Sequence, residues 1–548
     1  MTSALGRIIG VRTVSGTEVS VAAEAPPVRR SVNLGVVFDV IVVAVLGGVA
    51  WVARWGSLAS NGLWFDDSWV AAGAILGGPG DLLTVGSSHP GFTGILMVVD
   101  RLGGGDLTYL GVPSLVFGAV TPPALYLGLR SFGYERAISA LLGAALAVAP
   151  VPILYAGRVK GYTLDTLVVL LLAVAIPPLA RRTWRWPLAA AWSVAAIAVG
   201  TFSGYVLVAT AAAGLILVLH PSGDRVVRLA AVGIQAVVQS VYFVVLRSRS
   251  DAGGIEEVLE EAYDAHMSFS WNPLTLGREG LKHLRRLAEV FPADPGGNSW
   301  WLALLALLSM SGLVLAATRG RRRSETVVGR YLLLLVAAAA AGSLVDRFPF
   351  GPSNEVPASL GGRHALWMVP ALAFGLAAVA HRAGHWAAGR DTLRLGFGAI
   401  LIGAAVAVMV VGYEPAPEAP FPGSESGARF VDAAIGRDDV VIVTNNSVFA
   451  YAISTTTPVG VTETPDHQVG FAPVYLDPRI KSVGVFAAEP ASPEEILEWT
   501  ADANRVFVLT NGPLYHGREV VRSQLVPAGF TLAESRHLLW SVVDIYHQ

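Results

Sequence analysis

The feature that most constrains this chain is a succession of apolar runs, most of them about 17–25 residues long, the length a helix needs to cross the hydrocarbon core of a bilayer. They fall at 33–53, 107–129, 137–155, 162–180, 187–201, 205–219, 226–246, 300–318, 327–345, 365–380 and 395–412, eleven in all, with 187–201 among the shortest. Lipid offers backbone amides no hydrogen-bond partner, so runs of this kind fold as helices packed on one another. Composition agrees. The 548 residues are 53% hydrophobic and 15% charged, against about 25% charged in soluble proteins. The expected fold is a polytopic α-helical membrane domain with about eleven transmembrane helices.

Basic residues set the orientation, because short cytoplasmic loops are enriched in Arg and Lys. Arg29 and Arg30 precede the first run, and Arg130 and Arg136 bracket the turn after the second. Arg181, Arg182 and Arg185 follow the fourth, and Arg225 and Arg228 the sixth. Arg319, Arg321, Arg322 and Arg323 follow the eighth, and Arg382, Arg390 and Arg394 the tenth. Every second loop is basic, so a single register satisfies the chain, with the N-terminus cytoplasmic and the C-terminus outside the plasma membrane. Residues 1–31 read as a cytoplasmic tail rather than a cleaved signal, since the run from 32 is long enough to span. Four segments then face outward: 54–106, 156–161, 247–299 and 346–363.

The transmembrane part, residues 32–412, gives way at 413–426 to a linker rich in Pro, Glu, Gly and Ser. Residues 427–548 read as a small extracytoplasmic α/β domain, with strands near 440–444, 482–487, 505–510 and 538–546 and helices near 493–503 and 518–525. Its histidines His467, His516 and His537 lack metal-ligand spacing. Capping the site or recognising an acceptor is its expected work. A net charge of −2 gives no sign of a nucleic-acid partner, and the absence of cysteine excludes disulfides and thiolate chemistry.

The outer loops hold the chemistry. Asp66-Asp67 stands in Leu63-Trp64-Phe65-Asp66-Asp67-Ser68-Trp69, two carboxylates among tryptophans at a bilayer edge, a costly placement unless it has a task. His89-Pro90 follows, leading into the apolar stretch 91–102, too short to span. The next outer loop holds Arg158 and Lys160, with Tyr162 and Asp165 opening the fourth long run. Interfacial cations commonly snorkel to headgroups, but they also clamp phosphate oxygens. Asp165 lies one turn into a membrane helix and needs a partner or a role. In the loop 247–299, 255–265 reads as a solvated acidic helix and 280–291 as an amphipathic one, with Lys282, His283, Arg285 and Arg286 on its polar side.

An acidic pair in the first outer loop, a His-Pro before an apolar stretch, and Arg158 seven residues before Asp165 occur here in order and on one side. This pattern resembles the GT-C glycosyltransferases, in particular the bacterial mannosyltransferase-like branch, with protein O-mannosyltransferases and the lipid A aminoarabinose transferase. His89-Pro90-Gly91-Phe92-Thr93 departs from that branch's His-Pro-Pro-Leu-Tyr pattern, and Arg363 to Pro370 matches its late Arg-Tyr-Leu…Pro pattern loosely. The resemblance covers roughly residues 35–380. It implies an inverting transfer of a sugar from a polyprenyl-phosphate donor to a glycan, lipid or protein acceptor of the cell envelope. Asp66 would be the general base, with Asp67 and Asp165 assisting. His89, Arg158, Lys160 and Arg363 would receive the donor phosphate, and Trp64, Trp69 and Tyr162 would touch donor or acceptor. No cofactor is required by it, although a divalent metal stays open at Asp66 and Asp165. A transporter or flippase for a lipid-linked glycan is the alternative, together with a non-catalytic assembly protein. The acids cluster in outer loops and no repeat is evident, which disfavours transport.

Overall fold

The computed structural model describes residues 34–59, 62–82, 89–250, 269–290, 300–344, 362–387, 400, 425–445, 447–464, 470–484, 491–511, 516–538 and 541–548. Within Met1–Val40, the described residues are the opening turns of α1 (Leu34–Ala59), and every other element lies in Ile41–Gln548. The run expected at 395–412, the acidic helix at 255–265 and nearly all of the linker lie outside the described residues.

The segment after α1 holds two helices, α2 (Phe65–Ile75) and α3 (Pro90–Gly103). The bundle then continues with α4 (Val112–Ser131), α5 (Arg136–Val148), α6 (Pro150–Ala156), α7 (Tyr162–Arg181), α8 (Trp186–Gly200), α9 (Gly204–Leu219) and α10 (Arg225–Ser250). After α11 (Pro273–Glu289) come α12 (Trp300–Arg319), α13 (Arg323–Leu344) and α14 (Val369–Ala387), the last preceded by a 3-10 turn at Gly362–Met368. Ten of the eleven apolar runs coincide with these helices. Among the described residues, seven helices are long and apolar enough to cross a membrane, and an eighth if α5 and α6 count as one broken span. α8 and α9 are apolar but shorter.

Local sequence explains the irregularities. Pro150 cannot donate an amide and forces Ala149 into an extended conformation (ψ 123°), so the helix breaks and α6 departs from α5 by 55°. The carbonyls before the break are met by Arg54, which is 1% exposed and donates to Ala147 O (2.7 Å), Leu146 O (3.1 Å) and, within its own helix, Ala50 O (3.1 Å). Helices α12 and α14 touch through glycine: a Cβ on Gly312 would lie 1.9 Å from Gly375 O, and one on Gly375 would lie 2.0 Å from Ser309 O. The Ser309 hydroxyl seals the contact by donating to Leu372 O (2.9 Å). Small residues that let backbones meet are how membrane helices associate. The amphipathic helix α11 runs longer than 280–291 and turns His283 inward (1% exposed). His283 lies one turn before the buried Leu287 and therefore shares its stripe.

The C-terminal region opens with α15 (Glu425–Ala434), β1 (Asp439–Thr444) and α16 (Ser447–Ser454). A hairpin of β2 (Val459–Thr464) and β3 (Gly470–Tyr475) precedes β4 (Ile480–Val483), α17 (Pro493–Thr500), β5 (Arg505–Asn511), α18 (His516–Leu525), β6 (Thr531–Leu538) and β7 (Ser541–His547). The main sheet has the order β4-β1-β5-β7-β6, with β4, β1 and β5 parallel and β7 and β6 antiparallel. Along β5, Val506 and Val508 face the core under α17 and α18, while Phe507 and Leu509 face the other way. That second face is not solvent-exposed. Val441, Val443, Phe507 and Leu509 share one apolar core with Val448 and Phe449 of α16, Val70, Ala71 and Ala74 of α2, and Phe92 and Leu96 of α3. The sheet region is thereby built onto the helices after α1, the first of which carries Asp66 and Asp67.

Candidate active site

Asp66 and Asp67 fall in the first turn of α2, where unpaired amides and the helix dipole favour negative charge. Consecutive helical residues point about 100° apart, so the two carboxylates meet different partners. Asp67 is turned inward and 1% exposed. Its Oδ1 accepts from the amide of Val159 (3.1 Å) and its Oδ2 from Arg158 (3.4 Å). Burial pushes the Asp67 carboxyl up, with Arg158 and Lys160 opposing. Asp66 is more open. Its Oδ2 lies 3.3 Å from Arg363 and 3.8 Å from the Lys160 ammonium.

Both cations rest on tryptophan. Arg363 sits over Trp64 at 5.4 Å and Lys160 over Trp69 at 5.3 Å, which holds them by cation–π attraction. The turn carrying Arg158 and Lys160 is anchored to the start of α4: Ser114 donates to Lys160 O (2.6 Å) and Thr163 to Ser114 O (2.8 Å). Arg363 Nε donates to Nε2 of His364 (3.1 Å). A guanidinium only donates, so the His364 proton lies on Nδ1 and is given to Tyr205 Oη (2.9 Å). Tyr205 in turn stacks on Trp367 at 5.1 Å. Tyr162 meets His364 edge-on at 6.1 Å and Tyr155 at 5.4 Å. Sequence reasoning missed His364 and Tyr205; the adjacency of His364 to Arg363 was the available signal.

Asp66, Asp67, Arg158, Lys160 and Arg363 thus form one network. His89 and Asp165 have other partners. His89 precedes α3, and its Nδ1 lies 2.9 Å from the hydroxyl of Tyr242 on α10. Burial lowers its pKa to about 4, which favours the neutral ring. Phe92, one turn on, packs beside Gly161, where a Cβ would lie 3.6 Å from its ring. Asp165 is 2% exposed and bonded to Ser203, while its Oδ1 has no hydrogen-bond partner.

A carboxylate already set between two cations is a poor fit for a divalent ion, and Asp165 is tied to Ser203 instead. A second cluster lies at the α4–α5 turn, where Glu135, His381 and His385 bring ligand atoms within 4.8 Å of one another. That spacing would suit a metal. However, Arg321 occupies Nε2 of His381, which leaves the His381 proton on Nδ1, directed at Glu135. The cluster is therefore arranged as a hydrogen-bonded clamp of helix ends.

The architecture defines a fold class, a multi-pass membrane protein of ArnT-like GT-C fold. In structure the chain is similar to ArnT from Cupriavidus metallidurans bound to undecaprenyl phosphate, with a TM-score of 0.53 and 12% identity over 94% of this chain and 98% of that one. The apo state of the same ArnT gives a TM-score of 0.53 and 14% identity over 93% and 98%. An Archaeoglobus fulgidus oligosaccharyltransferase complexed with Zn and sulfate is more distant, at 0.45 and 11% over 85% and 67%. No protein-family model matches the sequence, and no curated protein matches it.

Proposed function

We propose that the chain is an inverting glycosyltransferase of the plasma membrane, moving a sugar from a polyprenyl-phosphate donor to an extracytoplasmic glycan, lipid or protein acceptor. The observation that carries this reading is Asp66 held between Lys160 and Arg363 in a chain of GT-C fold. In the transfer, an acceptor hydroxyl gives its proton to Asp66 and its oxygen bonds to the anomeric carbon. The bond from that carbon to the phosphate oxygen breaks, and polyprenyl phosphate leaves with the electron pair. Because the leaving group is already a good one, cations rather than an acid are needed. Lys160 and Arg363 touch the base, so a phosphate bound by them stands next to the attacking hydroxyl.

The other residues take supporting roles. Asp67 fixes Arg158 and the 157–161 turn, and Arg158 presents a second guanidinium to the donor. His89 contributes a neutral hydrogen bond. Asp165 offers its unpartnered oxygen to an acceptor hydroxyl, because a buried acceptor atom left unmet is costly. A largely apolar groove between α9 and α10, lined by Leu207, Val208, Ala211, Ala236, Phe243 and Val244 together with Gln239 and Ser240, suits a prenyl chain. The ArnT structure is one bound to undecaprenyl phosphate, a carrier of this kind.

The test is binding of undecaprenyl phosphate to the purified protein in lipid nanodiscs. Wild type should bind, and Lys160→Ala and Arg363→Ala should each weaken binding by about tenfold or more. No binding by wild type, or wild-type affinity in both variants, would count against the reading.

A further inference from the structure

Besides the catalytic groups, a charged side chain among the described residues reaches the loop of Asp66 and Asp67 from a distant part of the sequence. Glu425, the first residue of α15, accepts a hydrogen bond from the amide of Leu63 through Oε2 (2.7 Å), across 362 residues of sequence. Leu63 stands two residues before α2 and directly before Trp64, on which Arg363 rests. The backbone is shaped around this carboxylate. Gly62 adopts φ +63°, and a Cβ there would fall 2.4–2.9 Å from the carboxylate atoms of Glu425. The Glu425 side chain is 15% exposed, and its Oε1 lies 4.0 Å from Arg429, one turn along α15. Burial pushes its carboxyl up, the Leu63 amide and Arg429 oppose, and Asp67 adds to the rise. Glu425 is therefore close enough to the acidic pair to feel its charge.

The apolar contacts act in the same direction. Val448 and Phe449 of α16 share a core with Val70, Ala71 and Ala74 of α2. These side chains hold the body of α2 but do not fix where its first turn begins. A hydrogen bond to a charged acceptor two residues upstream does, because it sets the direction from which the chain enters the helix.

We infer that Glu425 is a positioning residue: the C-terminal region holds the loop of Trp64, Asp66 and Asp67 in working register through this one carboxylate. The inference rests on the functional reading above. It gives the C-terminal region a part in the transfer without any contact to substrate. A shift of the base by about an ångström is enough to cost orders of magnitude in rate, so a device that fixes the entry to α2 has a direct consequence at Asp66.

The experiment is hydrogen exchange on the full chain in nanodiscs, followed at the peptide spanning 62–69, with and without undecaprenyl phosphate. Glu425→Ala should speed exchange of the Leu63 amide by about ten- to a hundredfold and weaken the protection that undecaprenyl phosphate adds to this peptide. Glu425→Gln keeps an acceptor oxygen and should restore both. Gly62→Ala should reproduce the Glu425→Ala phenotype from the other partner, with little further effect in the double variant. Wild-type exchange in Glu425→Ala, or a Glu425→Gln as fast as Glu425→Ala, would overturn the inference. Failure of wild type to bind undecaprenyl phosphate would instead sink the functional reading. If Glu425→Ala does not fold, Gly62→Ala and Glu425→Gln still decide the matter.

Discussion

Asp66 and Asp67 are adjacent in sequence and differ in what surrounds them. Asp67 is buried against a backbone amide and Arg158, whereas Asp66 faces Lys160 and Arg363. Asp67→Asn is therefore expected to lower stability by about 1–3 kcal/mol, read by thermal unfolding in detergent, since a hydrogen bond to a charged group is lost in a dry setting. Arg158→Ala should be comparably unstable and bind undecaprenyl phosphate more weakly. At His89 the neutral ring predicts tolerance: His89→Gln should lose less than about tenfold in affinity for undecaprenyl phosphate. A loss as large as that of Arg363→Ala would mean that His89 binds as a cation. The carboxylates and the three cations stood out in the sequence by residue type and order, and the structure brings them together. The hydrogen bond of His89 to Tyr242 and the link from Arg363 through His364 to Tyr205 were not legible there, because each joins helices that no local pattern relates.

At the scale of elements, hydrophobic run length located the helices well, since a span must be long and apolar whatever it packs against. Packing was harder to read. Arg54 looked like the edge of a loop, yet it closes the break between α5 and α6, and Arg228, counted among the cytoplasmic arginines, is 1% exposed and donates to Leu217 O, Ala180 O and Arg182 O. Arg54→Met should cost about 1–3 kcal/mol of thermal stability, because the carbonyls it meets have no water to replace it; unchanged unfolding would show that they are otherwise satisfied. In the sheet region, β1, β5 and β7 were visible as apolar runs. The polar, exposed β6 and the β2–β3 hairpin were not, since an edge strand need not carry a hydrophobic signature. Glu425 lay hidden in a segment whose composition reads as a linker.

For the whole molecule, two properties can be measured separately. Alternating arginine loops predict that cysteines introduced near Asp66 and at Gln548 are labelled from outside, and one at Arg322 from the cytoplasm. The native chain has no cysteine to interfere. Labelling near Asp66 from the cytoplasm would remove the mechanism. The sheet region should also be acid-sensitive. Burial raises the Asp439 carboxyl, but Arg505 and the Gly436 amide outweigh it and hold the carboxyl lowered; Arg479 holds Asp477 lowered as well. A lowered carboxylate contributes stability above its unfolded value of about 4, and that contribution is lost as pH falls through the folded value. Hydrogen exchange in β1 and β5, corrected for intrinsic rates, should therefore accelerate below about pH 4, and Asp439→Asn should flatten that limb.

The most direct measurement is sugar transfer by Asp66→Asn in proteoliposomes supplied with undecaprenyl-phosphate-linked sugars and envelope acceptors, compared with wild type and Asp67→Asn. Asparagine keeps the size and hydrogen bonding of aspartate but cannot take up the hydroxyl proton. Transfer should fall by about 10²–10⁴-fold with undecaprenyl phosphate binding retained, and Asp67→Asn should fall less. Near-wild-type transfer by Asp66→Asn would contradict the assignment of Asp66 as the base, and with it the proposed chemistry of the site.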